Sequence, residues 1–393
     1  MRWVVLGASV LLQTCLGALY AWSTFVPALK SGYGLSGGQA GFVFGLAIAV
    51  FTAAMIYAGR LVEVHGPRPV AMTGAVLFGA GYLLASASGG LFPLLLISLG
   101  VLAGAGTGFG YVCPLATCVR WFPRHKGLVT GVAVAGFGGG ATLLSGIAGR
   151  LLAQGVPVLE IFRWIGLVYG MATLAGAMAL RFPEPIRREA QRLMPLRSLL
   201  RNRNLLSLAA GMFAGTFGGL LVIGNLGPIG LAARLPADDV IRSIQVFALG
   251  NAAGRIGWGW LYDRTGWVIL PISLLALLGS IAALAVADSP GAFVWLAASS
   301  GFCFGACFVL YAAEVAARFG HERVGSVYPL VFLAYGFSGL TGPPMGGWIH
   351  DWTDSFLPAF AIAAAVLVLG MAAVGWGLRR ASGPGAPGAL ADR

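Results

Sequence analysis

Apolar segments of about 20 residues recur along the whole sequence, and short polar segments separate them. An α-helix needs about 20 apolar residues to cross the hydrocarbon core of a bilayer, because each residue advances the helix by only about 1.5 Å. The pattern therefore predicts an all-helical integral membrane protein with twelve spans. The predicted spans run approximately over 4–26, 38–58, 70–87, 91–117, 128–148, 161–180, 205–226, 240–261, 267–286, 291–313, 325–349 and 356–378.

The composition agrees with a membrane protein. Hydrophobic residues make up 58% of the chain and charged residues only 10%, whereas a soluble domain carries about 25% charged residues. The 61 glycines are typical of membrane proteins, because small residues let transmembrane helices pack closely. The net charge of +12 comes without a basic stripe that has interleaved aromatic residues, so we attribute it to basic loops and expect no nucleic-acid binding.

The basic residues are unevenly distributed between the loops. Most of them lie near the two termini and in the loops that follow even-numbered spans, including seven arginines between Arg181 and Arg203. The remaining loops hold only Lys30, Arg150, Arg163, Arg234 and Arg242. Because lysine and arginine favour cytoplasmic loops, this asymmetry predicts a multi-pass protein of the cell inner (plasma) membrane with both termini in the cytoplasm.

A polar segment divides the chain into two halves with six predicted spans each. We predict an N-terminal six-helix bundle over 1–180, a cytoplasmic linker over 181–204, a C-terminal six-helix bundle over 205–380 and a disordered cytoplasmic tail over 381–393. The halves resemble each other, since GRLVEVHG starts at Gly59 and GWLYDRTG starts at Gly259, 200 positions later. Parallel repeats of this kind predict two pseudo-symmetric bundles with a substrate site between them at mid-membrane.

Both copies fit the pattern G-x-L-x-[acid]-x-x-G, which resembles the signature loop of the major facilitator superfamily. The first copy has Glu63 where aspartate is usual in the family and Pro67-Arg68 where a basic pair is usual, and the second has Asp263 and Arg264. In that family the loop bridges neighbouring helices in one conformational state, so the resemblance implies gating roles for Glu63, Arg68, Asp263 and Arg264. The alternative is that the two acids only cap helix ends.

Arg255 stands near the middle of a predicted span. A guanidinium in the bilayer core costs from about 3 to more than 10 kcal/mol, and it is tolerated when it faces a protein interior or a water-filled cavity and has a partner. Nearly every other lysine or arginine falls in a loop or at a helix end, so we predict that Arg255 binds an anion. Asn251 lies one turn earlier on the same face and is a candidate to orient Arg255 or to contact the substrate. The alternatives are a structural arginine bonded to backbone carbonyls and an asparagine in an interhelical hydrogen bond.

Three further motifs carry a narrower resemblance. WFPRHKGLVTGVAVAG, Trp121–Gly136, resembles the start of the fifth helix in monocarboxylate porters, and LGALYAWSTF, Leu16–Phe25, resembles the first-helix motif of the oxalate/formate antiporter relatives. The pattern N-x-x-x-R at Asn251 and Arg255 is similar to the eighth helix of the same group. The resemblance implies an organic-anion porter of the bacterial branch in which Arg255 binds the substrate carboxylate. A guanidinium suits this role, because its planar fork matches a carboxylate and it stays charged when the site is empty.

Several aromatic residues are candidates to line the site with Asn251 and Arg255. They are Tyr20, Tyr111, Phe304, Phe308 and Tyr335. In the oxalate carriers a lysine stands where our alignment places Tyr335, so the resemblance implies one substrate-binding cation here instead of two and favours a monocarboxylate over a dicarboxylate. Phe304 and Phe308 are spaced i and i+4, and ordinary helix packing is the alternative explanation for this pair.

These observations predict a secondary transporter and not an enzyme. We expect it to move small monocarboxylates such as lactate or pyruvate by alternating access with proton symport, and the alternative is an oxalate/formate-type organic anion exchanger. The proton-carrying group is not assigned, since Asn251 stands where some relatives have aspartate. The sequence contains no nucleophile–base motif and no clustered metal ligands. We therefore expect no cofactor and no metal, and a monomer in the lipid bilayer.

Overall fold

The computed structural model describes residues 1–35, 37–184, 196–287 and 289–379, and within these ranges the chain is helical without β-strands. We number the membrane-spanning helices α1 to α12. Several of them contain a short 3-10 or π segment, so their bounds join consecutive pieces. The helices are α1 (Arg2–Leu16, Gly17–Ala21 and Trp22–Tyr33), α2 (Gly37–His65), α3 (Pro67–Ser86), α4 (Phe92–Trp121), α5 (Lys126–Ala153), α6 (Val158–Ala179), α7 (Arg203–Ala232), α8 (Ala237–Thr265), α9 (Ile269–Ala285), α10 (Pro290–Phe319), α11 (Val324–Thr353) and α12 (Leu357–Arg379).

This architecture confirms the predicted all-helical membrane fold. In the described part of the chain, 11 stretches are long and apolar enough to cross a membrane. The longest of them, Asp238–Ala285, contains both α8 and α9. These two helices are separated at Gly266, where φ is 64°. A positive φ suits glycine and ends a helix, so the stretches correspond to the twelve helices that the hydrophobic pattern predicts.

Several helices extend beyond the apolar segments from which they were predicted. α2 continues to His65 although its apolar run ends near Ala58, and α8 continues to Thr265. Hydropathy detects only the part of a helix that crosses the hydrocarbon core, whereas backbone hydrogen bonding continues into the polar region. The prediction of loops at Glu63 and Asp263 is therefore wrong, because these residues lie in the last turns of α2 and α8.

Two helices are interrupted where they carry predicted site residues. One 3-10 segment, Gly17–Ala21, interrupts α1 and contains Tyr20, and another, Ala306–Phe308, interrupts α10 and contains Phe308. A 3-10 turn is tighter than an α-turn and changes the direction in which side chains leave the helix. The sequence does not predict these interruptions, because neither segment contains a proline.

The two six-helix halves meet along two helix pairs, α2 with α11 and α5 with α8. We call the end of the bundle at which α2, α4, α8 and α10 finish the basic end, because arginines such as Arg60 and Arg264 lie there, and we call the opposite end the far end. Of the predicted linker, the structure describes 181–184 and 196–204, and the predicted tail over 381–393 lies outside the described residues.

At the basic end, both helix pairs approach each other backbone to backbone. A Cβ atom added to Gly59 of α2 would lie 1.6 Å from the carbonyl oxygen of Gly325 of α11, and one added to Gly259 of α8 would lie 2.3 Å from that of Gly127 of α5. Nearer the far end, a Cβ atom added to Gly45 of α2 would meet nothing within 4 Å. Gly59 and Gly259 begin the repeated motif, so each copy of the motif marks a contact between the halves.

Candidate transport site

Arg255 is fixed between the two halves. Its side chain is 2% exposed, and no other lysine or arginine among the described residues is buried to this degree. Its Nε atom donates to Oδ1 of Asn251 at 3.2 Å, one turn away on α8. Its Nη1 atom donates across the interface to the backbone carbonyl oxygen of Val134 on α5, at 2.7 Å. The guanidinium therefore joins the C-terminal half to the N-terminal half through a neutral acceptor.

The sequence of α5 makes room for this arginine. A Cβ atom added to Gly131 would lie 2.3 Å from the carbonyl oxygen of Arg255, and one added to Gly138 would lie 3.9 Å from its Cζ atom. These glycines let the backbones of α5 and α8 approach. On its other side, the Cζ atom of Arg255 lies 4.4 Å from the centroid of the Phe308 ring, and this cation–π contact stabilises a desolvated cation.

The donors beside Arg255 are only partly used. Within the described part of the chain, Nη2 of Arg255 has no hydrogen-bond partner and no carboxylate contacts the guanidinium. The Nδ2 atom of Asn251 is buried and also has no partner. An unpaired buried donor is unfavourable, so Nδ2 of Asn251 points to an acceptor from outside the chain, next to Nη2 of Arg255. Arg255 is thus hydrogen-bonded to a backbone carbonyl, as a structural arginine would be, and its Nη2 atom is left to bind an anion.

Tyrosines from both halves surround the guanidinium. The hydroxyls of Tyr20 on α1 and Tyr335 on α11 form a short hydrogen bond with each other across the interface. The hydroxyls of Tyr111 on α4 and Tyr328 on α11 interact with each other and with Arg255, but neither is in a hydrogen bond of normal geometry. The site therefore combines one cation with phenol groups, two of which lack a hydrogen bond of normal geometry.

An aromatic wall connects the two halves around Phe332 of α11. Its ring centroid lies 5.4 Å from that of Tyr111, 5.7 Å from that of Phe51 and 5.2 Å from that of Tyr335. Phe137 of α5 lies 5.3 Å from Tyr111. Phe332, Phe51 and Phe137 are not among the site residues that the sequence predicts. Only Phe332 had a usable signal, because it precedes Tyr335 by three residues and so shares its helix face.

The predicted phenylalanine pair divides between the site and the core. Phe308 contacts Arg255. Phe304 packs inside the C-terminal half, where its ring lies 6.0 Å from that of Phe247 on α8 and covers Gly219 of α7, whose added Cβ would lie 2.1 Å from a ring carbon. Phe308 therefore lies against the guanidinium, and Phe304, whose ring centroid lies 5.1 Å from that of Phe308, packs behind it.

Glu63 and Asp263 each reach the beginning of a helix in the opposite half. The Oε1 atom of Glu63 accepts from the backbone nitrogen of Ser326 at 2.8 Å, in the first turn of α11. The two carboxylate oxygens of Asp263 accept from the backbone nitrogens of Gly127 and Leu128 at 2.8 and 2.9 Å, in the first turn of α5. Carboxylates are stabilised there by unpaired N–H groups and by the helix dipole. Both acids are therefore helix caps, and each cap joins the two halves.

The basic residues of the repeated motif lie elsewhere. Arg68 is exposed at the start of α3, and Arg264 is exposed with its guanidinium 3.4 Å from the centroid of the Trp260 ring. Arg120 of α4, which is not among the predicted site residues, donates from Nη2 to the backbone carbonyl oxygen of Glu322 at 2.6 Å. This bond also joins the halves, and nothing in the sequence distinguishes Arg120 from the other arginines at this end.

The described residues contain no group of three or more histidine, cysteine, aspartate or glutamate side chains suited to hold a metal ion. All five cysteines are buried free thiols. The polar groups around Arg255 are guanidinium, amide and phenol groups, which donate hydrogen bonds. This donor set suits a small anion.

Comparisons with known proteins agree with this description. The model of the Major Facilitator Superfamily matches residues 10–281 and 246–392. The chain is 28% identical to the oxalate:formate antiporter of Oxalobacter formigenes over 93% of this chain and 91% of the antiporter, and 30% identical to monocarboxylate transporter 11 of Homo sapiens over 94% of this chain and 81% of that protein. Its fold is similar to the crystal structure of the transporter FucP in the outward conformation, with a TM-score of 0.73 at 16% identity over 93% of this chain and 97% of FucP. The chain therefore belongs to the major facilitator superfamily, among the relatives of the monocarboxylate transporters and the oxalate:formate antiporter.

Proposed function

We propose that the protein is a secondary transporter that moves small monocarboxylates such as lactate or pyruvate by alternating access, and that Arg255 binds the carboxylate. The observation that carries this proposal is the buried guanidinium between the two halves, whose Nη1 atom has only a neutral carbonyl as acceptor. The names of the two relatives, a monocarboxylate transporter and an oxalate:formate antiporter, support an organic anion as the substrate.

In this mechanism a substrate carboxylate replaces the carbonyl of Val134 at Arg255. A hydrogen bond between a guanidinium and an ionised carboxylate is about twice as strong as one between neutral groups. The fork of Arg255 offers Nη1 and Nη2 to the two carboxylate oxygens, and the free Nδ2 atom of Asn251 lies beside it. Because the Val134 bond joins the halves, substrate binding loosens the contact between α5 and α8.

The number of cations favours a monocarboxylate. Among the described residues, Arg255 is the one deeply buried base, and Tyr335 offers only a hydroxyl, which is bound to Tyr20. An uncompensated second charge in a buried site costs several kcal/mol, so a dianion is disfavoured. The hydroxyls of Tyr111 and Tyr328, which lack a hydrogen bond of normal geometry, suit a neutral acceptor such as the oxygen on the second carbon of lactate or pyruvate.

The second candidate is an organic anion exchanger of the oxalate/formate type. The 28% identity to the oxalate:formate antiporter over 93% of the chain favours it. Exchange requires no proton carrier, and the amide of Asn251 beside Arg255 does not titrate. The two candidates differ in whether uptake follows a proton gradient, since the monocarboxylate proposal includes proton symport.

Alternating access requires that the contacts at the basic end break and re-form. The carboxylate caps and the glycine crossings hold that end closed in this structure. On this basis we assign gating roles to Glu63 and Asp263, with Arg68 and Arg264 of the same motif engaged in another state. The charge distribution makes the basic end the cytoplasmic one. We propose that the protein is a monomer in the inner (plasma) membrane, and that this state is closed at its cytoplasmic end.

Uptake of labelled L-lactate into proteoliposomes, with and without an inward proton gradient, tests the proposal. We expect gradient-stimulated uptake by the wild type and about tenfold slower uptake by R255K, because lysine keeps the charge but lacks the fork. R242K changes an exposed arginine paired with Asp239 near the far end and should transport normally. Uptake that ignores the gradient but needs an internal anion would establish the exchanger, and no uptake in any condition would refute lactate as the substrate.

A further inference from the structure

One hydrogen bond between the halves lies away from the basic end. The hydroxyls of Tyr20 on α1 and Tyr335 on α11 are bonded to each other. Tyr335 is 4% exposed and Tyr20 is half-buried. The other hydrogen bonds between the halves described above are made by Arg255 or lie at the basic end. The tyrosine bond therefore connects the halves at a separate level of the bundle.

On α11, Tyr335 lies beyond the level of Arg255. This helix begins at the basic end, with Val324, so its residue numbers increase toward the far end. Tyr328, which interacts with Arg255, is about one turn from the start of the helix. Tyr335 comes about two turns after Tyr328. It is thus displaced toward the far end from a residue that faces the guanidinium.

On α5, the neighbours of Arg255 and Tyr20 follow in the same order. This helix also begins at the basic end. Val134 binds Arg255 through its carbonyl oxygen, and Phe137 comes about one turn later. The centroid of the Phe137 ring lies 5.0 Å from that of the Tyr20 ring. Tyr20, like Tyr335, is therefore on the far-end side of the cation.

Phe308 connects the tyrosine pair to the cation. Its ring centroid lies 4.4 Å from the Cζ atom of Arg255 and 5.4 Å from the ring centroid of Tyr335. The same Tyr335 ring also lies 5.2 Å from that of Phe332, which belongs to the aromatic wall around the site. The tyrosine pair is therefore next to the space in which a carboxylate would bind Arg255.

The close approach of α2 and α11 ends near the level of the tyrosine pair. Gly59, Thr52 and Gly45 are seven residues apart and so share one face of α2. A Cβ atom added to Gly59 would lie 1.6 Å from the backbone of α11, and one added to Gly336, the residue after Tyr335, would lie 2.9 Å from Oγ1 of Thr52. A Cβ atom added to Gly45 would meet nothing within 4 Å. Beyond the pair, this face of α2 is no longer in close contact with α11.

The closures at the two sides of Arg255 differ in what must move to open them. At the basic end, backbone caps and glycine contacts join the helices themselves, so the helices must separate. The tyrosine bond joins two side-chain hydroxyls, and a hydrogen bond between neutral groups adds little net stability because water competes for both partners. Rotation of the two side chains is enough to break it while α1 and α11 stay in place.

We propose that the hydrogen bond between Tyr20 and Tyr335 is the far-side gate of the transport site. While the hydroxyls are bonded, they cover the anion at Arg255 from the far end, and the basic end is closed as well. When the bond breaks, the site opens to the far end while the basic end stays closed. This proposal rests on the alternating-access cycle proposed above, but not on the identity of the substrate.

The rate at which a cysteine inside the site is modified tests this proposal. Gly138 of α5 is a suitable position, because an added Cβ atom would lie 3.9 Å from Cζ of Arg255, at an ordinary contact distance. A membrane-impermeant, negatively charged methanethiosulfonate is added outside intact cells that express the full chain with G138C. The five native cysteines are buried, and the chain without G138C gives the background rate. We expect modification about three- to tenfold faster in Y20F and in Y335F than with both tyrosines present, since each variant removes one hydrogen bond.

Three controls separate the gate from other effects of these substitutions. Y20F/Y335F should match the single variants, because all three remove the same bond. Y82F removes a buried hydroxyl of α3 within the N-terminal half and should leave the rate unchanged. Q154C places the cysteine at the exposed far end of α5, where modification should be equally fast with and without Y20F.

The possible outcomes separate the gate from the proposed substrate. Equal rates at G138C in Y20F, Y335F and the chain with both tyrosines would overturn the gate. A double variant in which the two single effects multiply would also overturn it, because the tyrosines would then act separately. Saturating L-lactate should slow modification of G138C if it binds Arg255. Faster modification in Y20F without protection by L-lactate would support the gate and contradict lactate as the substrate.

Discussion

The Nη1 atom of Arg255 lies 2.7 Å from the carbonyl oxygen of Val134, so one side chain is both the proposed carboxylate ligand and a bond between the two halves. A bound carboxylate and the closed α5–α8 contact compete for the same donor. Under this arrangement, substrate binding changes the balance between conformations because the substrate binds one arrangement of Arg255 better than the other. No separate switch is needed to connect recognition with movement.

Replacement of Asn251 by aspartate should make uptake steeply dependent on pH. The new carboxylate would replace the amide oxygen that lies 3.2 Å from Nε of Arg255 and would neutralise the guanidinium. We expect uptake to fall about tenfold near pH 7 and to recover as the pH is lowered and the aspartate takes a proton. Initial rates across a pH series for N251D and wild type check this. Equal rates near pH 7 would show that position 251 does not share the substrate site.

Alanine at Gly59 should destabilise closure of the basic end. Its Cβ would lie 1.6 Å from the backbone oxygen of Gly325, and this clash is relieved only if α2 separates from α11. Gly45 lies on the same helix with nothing within 4 Å of its added Cβ, so G45A is the matched control. The measurement is the distance between spin labels at the exposed positions His65 and His321, by double electron–electron resonance. We expect a closed population that is several-fold smaller in G59A and unchanged in G45A. A closed population of wild-type size in G59A would mean that the close approach of α2 to α11 at Gly59 does not stabilise closure of the basic end.

Lysine at Tyr335 should widen the substrate range toward dicarboxylates. A second cation would then stand on the same aromatic wall as Phe308, whose ring lies 5.4 Å from that of Tyr335 and 4.4 Å from the Arg255 guanidinium. We expect oxalate to inhibit labelled lactate uptake about tenfold more strongly in Y335K than in the wild type, because two cations balance a dianion. Y335F removes the hydroxyl without adding charge and should show no such gain. Equal inhibition in Y335K and Y335F would remove the charge-counting basis for a monocarboxylate.

Substitution of the two phenylalanines of α10 should have different effects: at Phe308 it should weaken substrate binding, and at Phe304 it should lower thermal stability. F308L removes the ring 4.4 Å from the Arg255 guanidinium and should raise KM several-fold. F304L removes packing on Gly219 and should lower Tm while KM stays unchanged, since a destabilising point mutation typically costs about 0.5 to 3 kcal/mol. Transport kinetics and thermal unfolding of both variants check this division. The reverse pattern would place Phe304 in the site and Phe308 in the core.

Local signals explain why Arg255 and the twelve helices are predictable. A single charge inside an apolar run is visible in the sequence, and so is the length of each run. Glu63 and Asp263 are predictable because their motif occurs twice. Their partners are not, since each acid binds backbone N–H groups of a helix more than 100 positions away, and every residue except proline carries such a group.

The rest of the site depends on how helices meet. Val134 contributes a carbonyl oxygen, and nothing in its side chain marks it. Phe51, Phe137 and Phe332 resemble many other phenylalanines in apolar helices. Phe51 meets Phe137 through packing inside the N-terminal half, and the approach of the two halves brings Phe332 to Phe51. That approach is set by glycines such as Gly131, whose missing side chain fixes how closely α5 lies against α8. The motif glycines were visible in the sequence, but the partner of each one was not.

Binding of L-lactate, pyruvate and formate to the purified protein, measured by isothermal titration calorimetry for wild type and R255K, tests the central claim most directly. We predict that the anions bound by the wild type bind at least about tenfold more weakly to R255K, which corresponds to about 1.4 kcal/mol. R242K, changed at an exposed position, should bind like the wild type. Equal affinity of wild type and R255K for a transported anion would contradict the claim that Arg255 holds the substrate carboxylate.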